Sequence, residues 1–327
     1  MPRRWFLSVA SSLCLLGVLA TVPPARAEEE VTVRFTWKYK GEYAPLFVAL
    51  DKGYYAGEGL KVNLAEGSGS STVLALLASG EEKIGYGPAD AVATAVGKGM
   101  PVRTVALYQT ALPIALVSFP DKPVRTPKDL EGKTITGSAA GAFTRLLPVF
   151  AEINDLDLSK INVVMLEGGA GQAQFLNRQV DVSSPYLSNE VPRLEKLGGV
   201  ELVKLPVADH GLKLLGASIF VNNDFAEAQP ETLRKLVRAT NKGYADAMAD
   251  PEEAAEIMVK YLPPGEDMEV LIKQVVATVT TTNAPEGKPI GWQTDEDWAA
   301  TLEILKDTGQ ISEIKPMEMY YTNAFVQ

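Results

Sequence analysis

A strand, a turn and a helix follow one another without interruption between Val31 and Tyr54, and the same unit recurs along most of the chain. Val31, Val33 and Phe35 alternate with polar residues, the period of two that a half-buried strand requires. Tyr43, Leu46, Phe47, Leu50 and Tyr54 then fall on one face of a helix, with Pro45 in its first turn and Gly53 at its exit. Repeated units of this kind build a sheet whose connecting helices cover it. In an open α/β sheet a solute binds beyond the carboxyl ends of the strands, which puts the segment from Trp37 to Tyr43 at the mouth of a cleft.

The recurrence divides the chain. Strands are expected at 61–64, 83–86 and 102–108, with helices from Val73 and Ala91, and three successive strand-helix units argue for a parallel sheet. A further strand at 114–119 is followed by Pro120, Pro123 and Pro127, where the rhythm breaks before resuming at 133–136, 161–166 and 180–183. These breaks predict two α/β lobes facing each other: lobe 1 from 28–111, lobe 2 from 112–215, and 216–327 returning to lobe 1 and adding C-terminal helices. Leu233, Leu236, Val237 and Tyr244 mark one of those helices, and Trp298, Leu302 and Leu305 the last.

The first 27 residues read differently. Arg3 and Arg4, an apolar run from Trp5 to Val22 and Ala25-Arg26-Ala27 have the three regions of a secretory signal peptide cleaved after Ala27. A retained anchor is the alternative, but serines interrupt the run and Pro23-Pro24 ends it. Cys14, the only cysteine, lies inside this segment, so the mature chain has no disulfide, as a periplasmic protein large enough to build its own core permits. Removing Arg3, Arg4 and Arg26 takes the formal charge from −10 to −13. That balance argues against nucleic acid as a partner.

Glycines at the strand-to-helix turns, in 67–72, 137–141 and 168–171, let backbone N–H groups approach a ligand at a positive helix end. Tight turning alone is an equally good reason for each. The candidates at these turns are Ser70, Ser71, Ser138 and Gly141. Gly67-Ser-Gly69 lacks the third glycine of a dinucleotide fingerprint, and no cofactor is expected. Trp37, Tyr39, Tyr43, Tyr86, Tyr108 and Tyr186 stand near strand ends, where a ring can stack on a flat ligand; Trp37 and Tyr43 are favoured over core packing. Glu42, Asp90 and Glu190 fall at the same mouths, although a carboxylate at a helix start often only caps it. Facing the cleft, Glu42 or Glu190 repels an oxyanion and welcomes an amine or protonated ring nitrogen. Lys38 and Arg145 are available to an acidic substituent. His210 in Ala208-Asp209-His210-Gly211 has no nucleophile turn beside it, and with one histidine and no mature cysteine no metal cluster of known spacing exists.

Trp37 with Gly41-Glu42-Tyr43-Ala44-Pro45-Leu46-Phe47-Val48-Ala49, Lys52-Gly53-Tyr54-Tyr55 and Glu58-Gly59-Leu60 resembles the opening of the periplasmic binding proteins of the nitrate/sulfonate/taurine and thiamine-precursor (hydroxymethylpyrimidine) ABC importer superfamily. Gly97-Lys98-Gly99-Met100-Pro101 and Pro127-Lys128-Asp129-Leu130-Glu131-Gly132-Lys133 extend the likeness. Val180-Asp181, then Tyr186-Leu187-Ser188-Asn189-Glu190 and Val207-Ala208-Asp209, is similar to the thiamine-precursor-like branch. The resemblance implies a type II periplasmic binding protein fold, a non-enzymatic binder with Trp37, Tyr43, Asn189 and Glu190 as ligand residues, and a monomer that delivers a small organic ligand to ABC importer membrane subunits by hinge closure. The ligand would be a pyrimidine or thiamine precursor, or a sulfonate or aromatic acid. Pro185, Val191 and the lack of a histidine before the first helix are departures from the branch. A pyrimidine-forming enzyme of the same fold, which relies on histidine and lysine chemistry, and a periplasmic sensor are the alternatives.

Overall fold

The computed structural model of the protein describes residues 28–137, 142–166, 169–282 and 285–327. The segment read as a signal peptide, and with it the site candidates Ser138 and Gly141, lie outside the described residues. The strands are β1 (Glu29–Phe35), β2 (Leu60–Ala65), β3 (Ile84–Pro88), β4 (Val102–Leu107) and β5 (Ala115–Ser118). They continue as β6 (Thr134–Gly137), β7 (Asn162–Met165), β8 (Val182–Ser183), β9 (Val203–Pro206) and β10 (Ala217–Asn222). They form two five-stranded sheets in the orders β2-β1-β3-β10-β4 and β7-β6-β8-β5-β9.

The two sheets share one plan. β1 lies parallel to β2 and β3, as β6 does to β7 and β8. The fourth place in each is taken by an antiparallel strand, β10 or β5, and each is the first strand formed after the chain crosses from the other lobe. The parallel sheet expected from three strand-helix units is therefore a mixed one, because β10 separates β3 from β4. Local periodicity reports that a segment is a strand, not which neighbour it takes.

The two crossings run side by side. The Tyr108 N–H donates to the Ala217 carbonyl (2.7 Å), the Gly216 N–H to the Gln109 carbonyl (2.9 Å) and the Val207 N–H to the Ile114 carbonyl (3.1 Å). The buried Gln109 side chain ties this ribbon to the C-terminal helices: its amide donates to Thr281 Oγ1 (2.7 Å) while its oxygen accepts from the Ala217 N–H (3.2 Å).

β1 buries Val31, Val33 and Phe35 on one face, as its alternation requires. The helix Ala44–Asp51 has Pro45 in its first turn, and Gly53 takes φ 73° just after it. Instead of one apolar face, however, this helix buries every residue from Ala44 to Ala49. The helices Pro230–Ala249 and Pro251–Val259 lie over its outer side. Gly243 allows that approach, since a Cβ there would stand 2.2 Å from the Pro45 carbonyl oxygen.

Candidate functional site

A cleft of about 1410 Å³ opens between the lobes at the carboxyl ends of β1, β3, β6 and β8. Of the sequence candidates, Trp37, Glu42, Tyr43, Ser70, Ser71, Tyr86 and Asp90 line it on the first lobe, and Arg145, Tyr186, Asn189 and Glu190 on the second. The local reasons differ. Ser70 and Ser71 open the helix Ser70–Ala78, Asp90 stands in the first turn of Ala89–Gly97, and Glu190 begins Glu190–Gly198. Trp37 stands two residues past the end of β1 and is 48% exposed, a large ring left uncovered at the cleft edge.

Other aromatic candidates have a different place. Tyr43 is 3% exposed, stacked on Phe35 (centroids 4.3 Å apart) and edge-on to Tyr86, so its ring faces belong to the core although it borders the cleft. Tyr108 is fully buried and stacks on Tyr244 at 4.0 Å. Tyr39 donates to the Leu64 carbonyl (2.6 Å), and Lys38 pairs with Glu66 (3.2 Å); neither lines the cleft. The glycine turn at 67–69 also differs from its ligand reading, because the Gly67 N–H donates to the Trp37 carbonyl and the Gly69 N–H to the Thr36 carbonyl. Both hold the end of β1. Lining residues that sequence reasoning missed include Lys40, Gln109 and Gln310. Lys40 sits two residues before Glu42 and was findable, whereas Gln310 reaches the cleft from beyond the last helix without any local signal.

The lobes touch along one side of the cleft. Gln274, on the helix Met268–Thr280, donates from Nε2 to the Asn189 carbonyl (2.9 Å) and accepts the Gly41 N–H at Oε1 (3.2 Å). Ser188, buried on the second lobe, reaches Glu42 Oε2 of the first at 3.4 Å. Glu190 Oε2 accepts the Tyr186 N–H (3.0 Å), which holds its carboxyl at the start of its own helix.

Burial raises the Glu42 carboxyl from 4.5 to about 7; Lys40 opposes the rise and Glu190 adds to it. Burial likewise raises Asp90 from 3.8 to about 6, against the Ala91 N–H and Arg145. The Tyr186 hydroxyl is pushed up by burial and then by Asp90, Glu42 and Glu190, with Arg145 opposing. Tyr186 thus stands among three carboxyl groups drawn from both lobes. Such a site favours N–H and O–H donors and cations over a bare oxyanion. His210 lies in the turn Val207–His210 and does not line the cleft.

A pH test follows from Glu42. Its folded form holds a proton that the unfolded chain has already released, so its contribution to stability is complete below about 4.5 and is lost as pH rises through about 7. Glu42→Gln removes that term. The thermal midpoint of the variant therefore falls less than that of the wild type between pH 5 and pH 8; identical slopes in the two proteins would show that Glu42 does not titrate in this range.

The family described as NMT1/THI5 like matches residues 40–254. The riboflavin-binding protein RibY of Chloroflexus aurantiacus is 27% identical over 309 residues, covering 91% of this chain and 86% of that one. The 4-amino-5-hydroxymethyl-2-methylpyrimidine phosphate synthase of Legionella pneumophila is 23% identical over 303 residues, covering 91% and 93%. Among solved structures, the periplasmic aliphatic sulphonate binding protein SsuA from Escherichia coli matches with a TM-score of 0.68 at 15% identity over 89% of this chain and 91% of its own.

Proposed function

The chain belongs to the NMT1/THI5-like family and has the two-lobed periplasmic binding protein fold, and from that premise we propose that it is a periplasmic solute-binding protein that captures a flat, nitrogen-bearing organic molecule and passes it to an ABC importer. The observation that carries this reading is the convergence of Glu42, Asp90 and Glu190 on Tyr186 across the lobe boundary, beside the uncovered Trp37 ring. A ring stacked at Trp37 offers its N–H or amino groups to those carboxyls, and a solute touching both lobes favours the arrangement in which they meet. The relative that binds riboflavin and the relative that makes a pyrimidine phosphate both handle rings of this kind. Sulfonate, as the name of the structural neighbour SsuA suggests, suits the acidic wall less well.

The hydrogen-bonded crossings at Tyr108 to Ile114 and Val207 to Ala217 are the natural hinge, since they are the segments through which the lobes are joined. In this reading the N-terminal 27 residues direct export and the protein acts as a monomer. The second reading is an enzyme, favoured by the pyrimidine phosphate synthase among the relatives. The placing of the only histidine away from the cleft speaks for binding over catalysis by a histidine. A sensor for a membrane receptor would use the same cleft.

Calorimetric titration of the chain from Glu28 onward with riboflavin, 4-amino-5-hydroxymethyl-2-methylpyrimidine, thiamine, an alkanesulfonate and nitrate tests the proposal. Saturable binding of a ring compound, recovered unchanged, is the expected result. Binding of nitrate or sulfonate alone would remove the reading of the acidic wall, and consumption of the ligand would turn the assignment to the enzyme.

A further inference from the structure

The cleft is longer than one ring requires. Pockets for small organic ligands commonly enclose about 300–1,000 Å³, and this one reaches about 1410 Å³. Part of the excess runs along a single helix. Asp90, Ala91, Thr94, Ala95 and Lys98 all line the cleft and recur at the spacing of one helical face. Eight residues of helix span about 12 Å, so this helical face follows the cleft from Asp90 to Lys98, and Phe143 and Arg145 line the same cleft from the second lobe. Asp90 stands where that face meets the wall formed by Tyr186 and Glu42.

At this junction one acceptor is orphaned. Asp90 Oδ1 is buried with no hydrogen-bond partner, while the carboxyl group also accepts the N–H of Ala91. A buried acceptor left unmatched costs about 1–3 kcal/mol. Water does not reach it in this arrangement of the lobes. A solute donor would therefore have to meet this oxygen while the lobes are apart.

We propose that Asp90 is a specificity-determining residue of the cleft, taking at Oδ1 a hydroxyl or amino proton from an arm attached to the ligand's ring, so that the solute is a ring with a donor-bearing side chain lying along the helix Ala89–Gly97. The inference rests on the reading of the cleft as an organic-solute site. It also gives closure a dependence on ligand, because closure over the donor-bearing arm satisfies the oxygen.

Two probe pairs test it, each keeping the ring and deleting only the hydroxyl-bearing arm: riboflavin with lumiflavin, and 4-amino-5-hydroxymethyl-2-methylpyrimidine with its 5-methyl analogue. The wild type is expected to bind the armed member of at least one pair at least tenfold more tightly. Asp90→Asn keeps an oxygen for the Ala91 N–H and places an amide nitrogen, a donor, where Oδ1 now stands. It should weaken the armed member more than the unarmed one, so that the tenfold preference falls to within about twofold, and leave the ligand-free thermal midpoint level or raised. Equal affinity of armed and unarmed members in the wild type, or equal loss of both in Asp90→Asn, overturns the assignment of Asp90 while the binding reading stands. Failure of the wild type to bind any of the four removes the assignment of Asp90, and failure to bind thiamine as well removes the binding reading with it.

Discussion

Glutamine at position 190 and alanine at position 37 are each expected to weaken binding of the solute tenfold or more, about 1.4 kcal/mol or above, with the ligand-free fold intact. Glu190 Oε2 accepts the Tyr186 N–H, and the amide oxygen of glutamine can accept it in turn. The backbone at the start of Glu190–Gly198 is thereby kept, and what disappears is a negative charge facing the cleft. Charge-assisted hydrogen bonds are roughly twice as strong as neutral ones, so affinity for a protonated or N–H-rich ring falls. The same change removes a carboxylate whose field raises Glu42, and the proton affinity of Glu42 falls with it. Trp37 acts by area instead of charge. Its ring is 48% exposed, so truncation removes a stacking surface from the cleft without hollowing the core. Titration calorimetry reads both effects and thermal unfolding checks the fold; unchanged affinity in both variants would dismiss this wall as the binding surface.

Alanine at position 67 is expected to damage stability and binding together. A Cβ on Gly67 would lie 2.0 Å from the Phe35 carbonyl oxygen, a backbone atom that cannot rotate away. Phe35 ends β1, is fully buried and stacks on Tyr43, while Gly67 itself donates its N–H to the Trp37 carbonyl. Relief therefore requires the strand end to shift, and Trp37 moves with it. Forced contacts of this kind cost about 1–3 kcal/mol, a fall of several degrees in the thermal midpoint, and solute affinity declines in the same variant. Gly57→Ala is the control, since a Cβ there meets nothing within 4 Å and its φ is not positive. It should change the midpoint by less than a degree or two. A Gly67→Ala protein as stable as this control would show that the turn has room that its geometry denies.

Residue type did not separate neighbours of like chemistry. Trp37 and Tyr43 were equally good aromatic candidates, six residues apart, yet one ring is uncovered at the cleft and the other is stacked in the core. Tyr108, at the end of β4, was drawn inward by Tyr244 from a helix more than a hundred residues later. The glycines at 67 and 69 were legible as necessary, but the reason was not: their N–H groups hold β1 where an anion-binding turn would have presented them to a ligand. In the helix Ala44–Asp51, the later helices that cover its outer side made a buried rod of what the spacing described as a one-sided face.

The sequence by itself determined the elements near the cleft and the chemical character of their ends. Alternation, helical spacing, Pro45 and Gly53 are properties of a few consecutive residues, and the conformations they favour are set over the same short distance. The tertiary structure decided that β10 enters between β3 and β4, that Gln274 bridges Gly41 and Asn189, and that Glu42, Asp90 and Glu190 gather around Tyr186. It alone also set the proton affinities of Glu42 and Asp90. Desolvation and Coulomb fields depend on whatever lies within a few ångströms, and here some of those neighbours, Glu190 for Glu42 and Arg145 for Asp90, come from a lobe encoded more than fifty residues away.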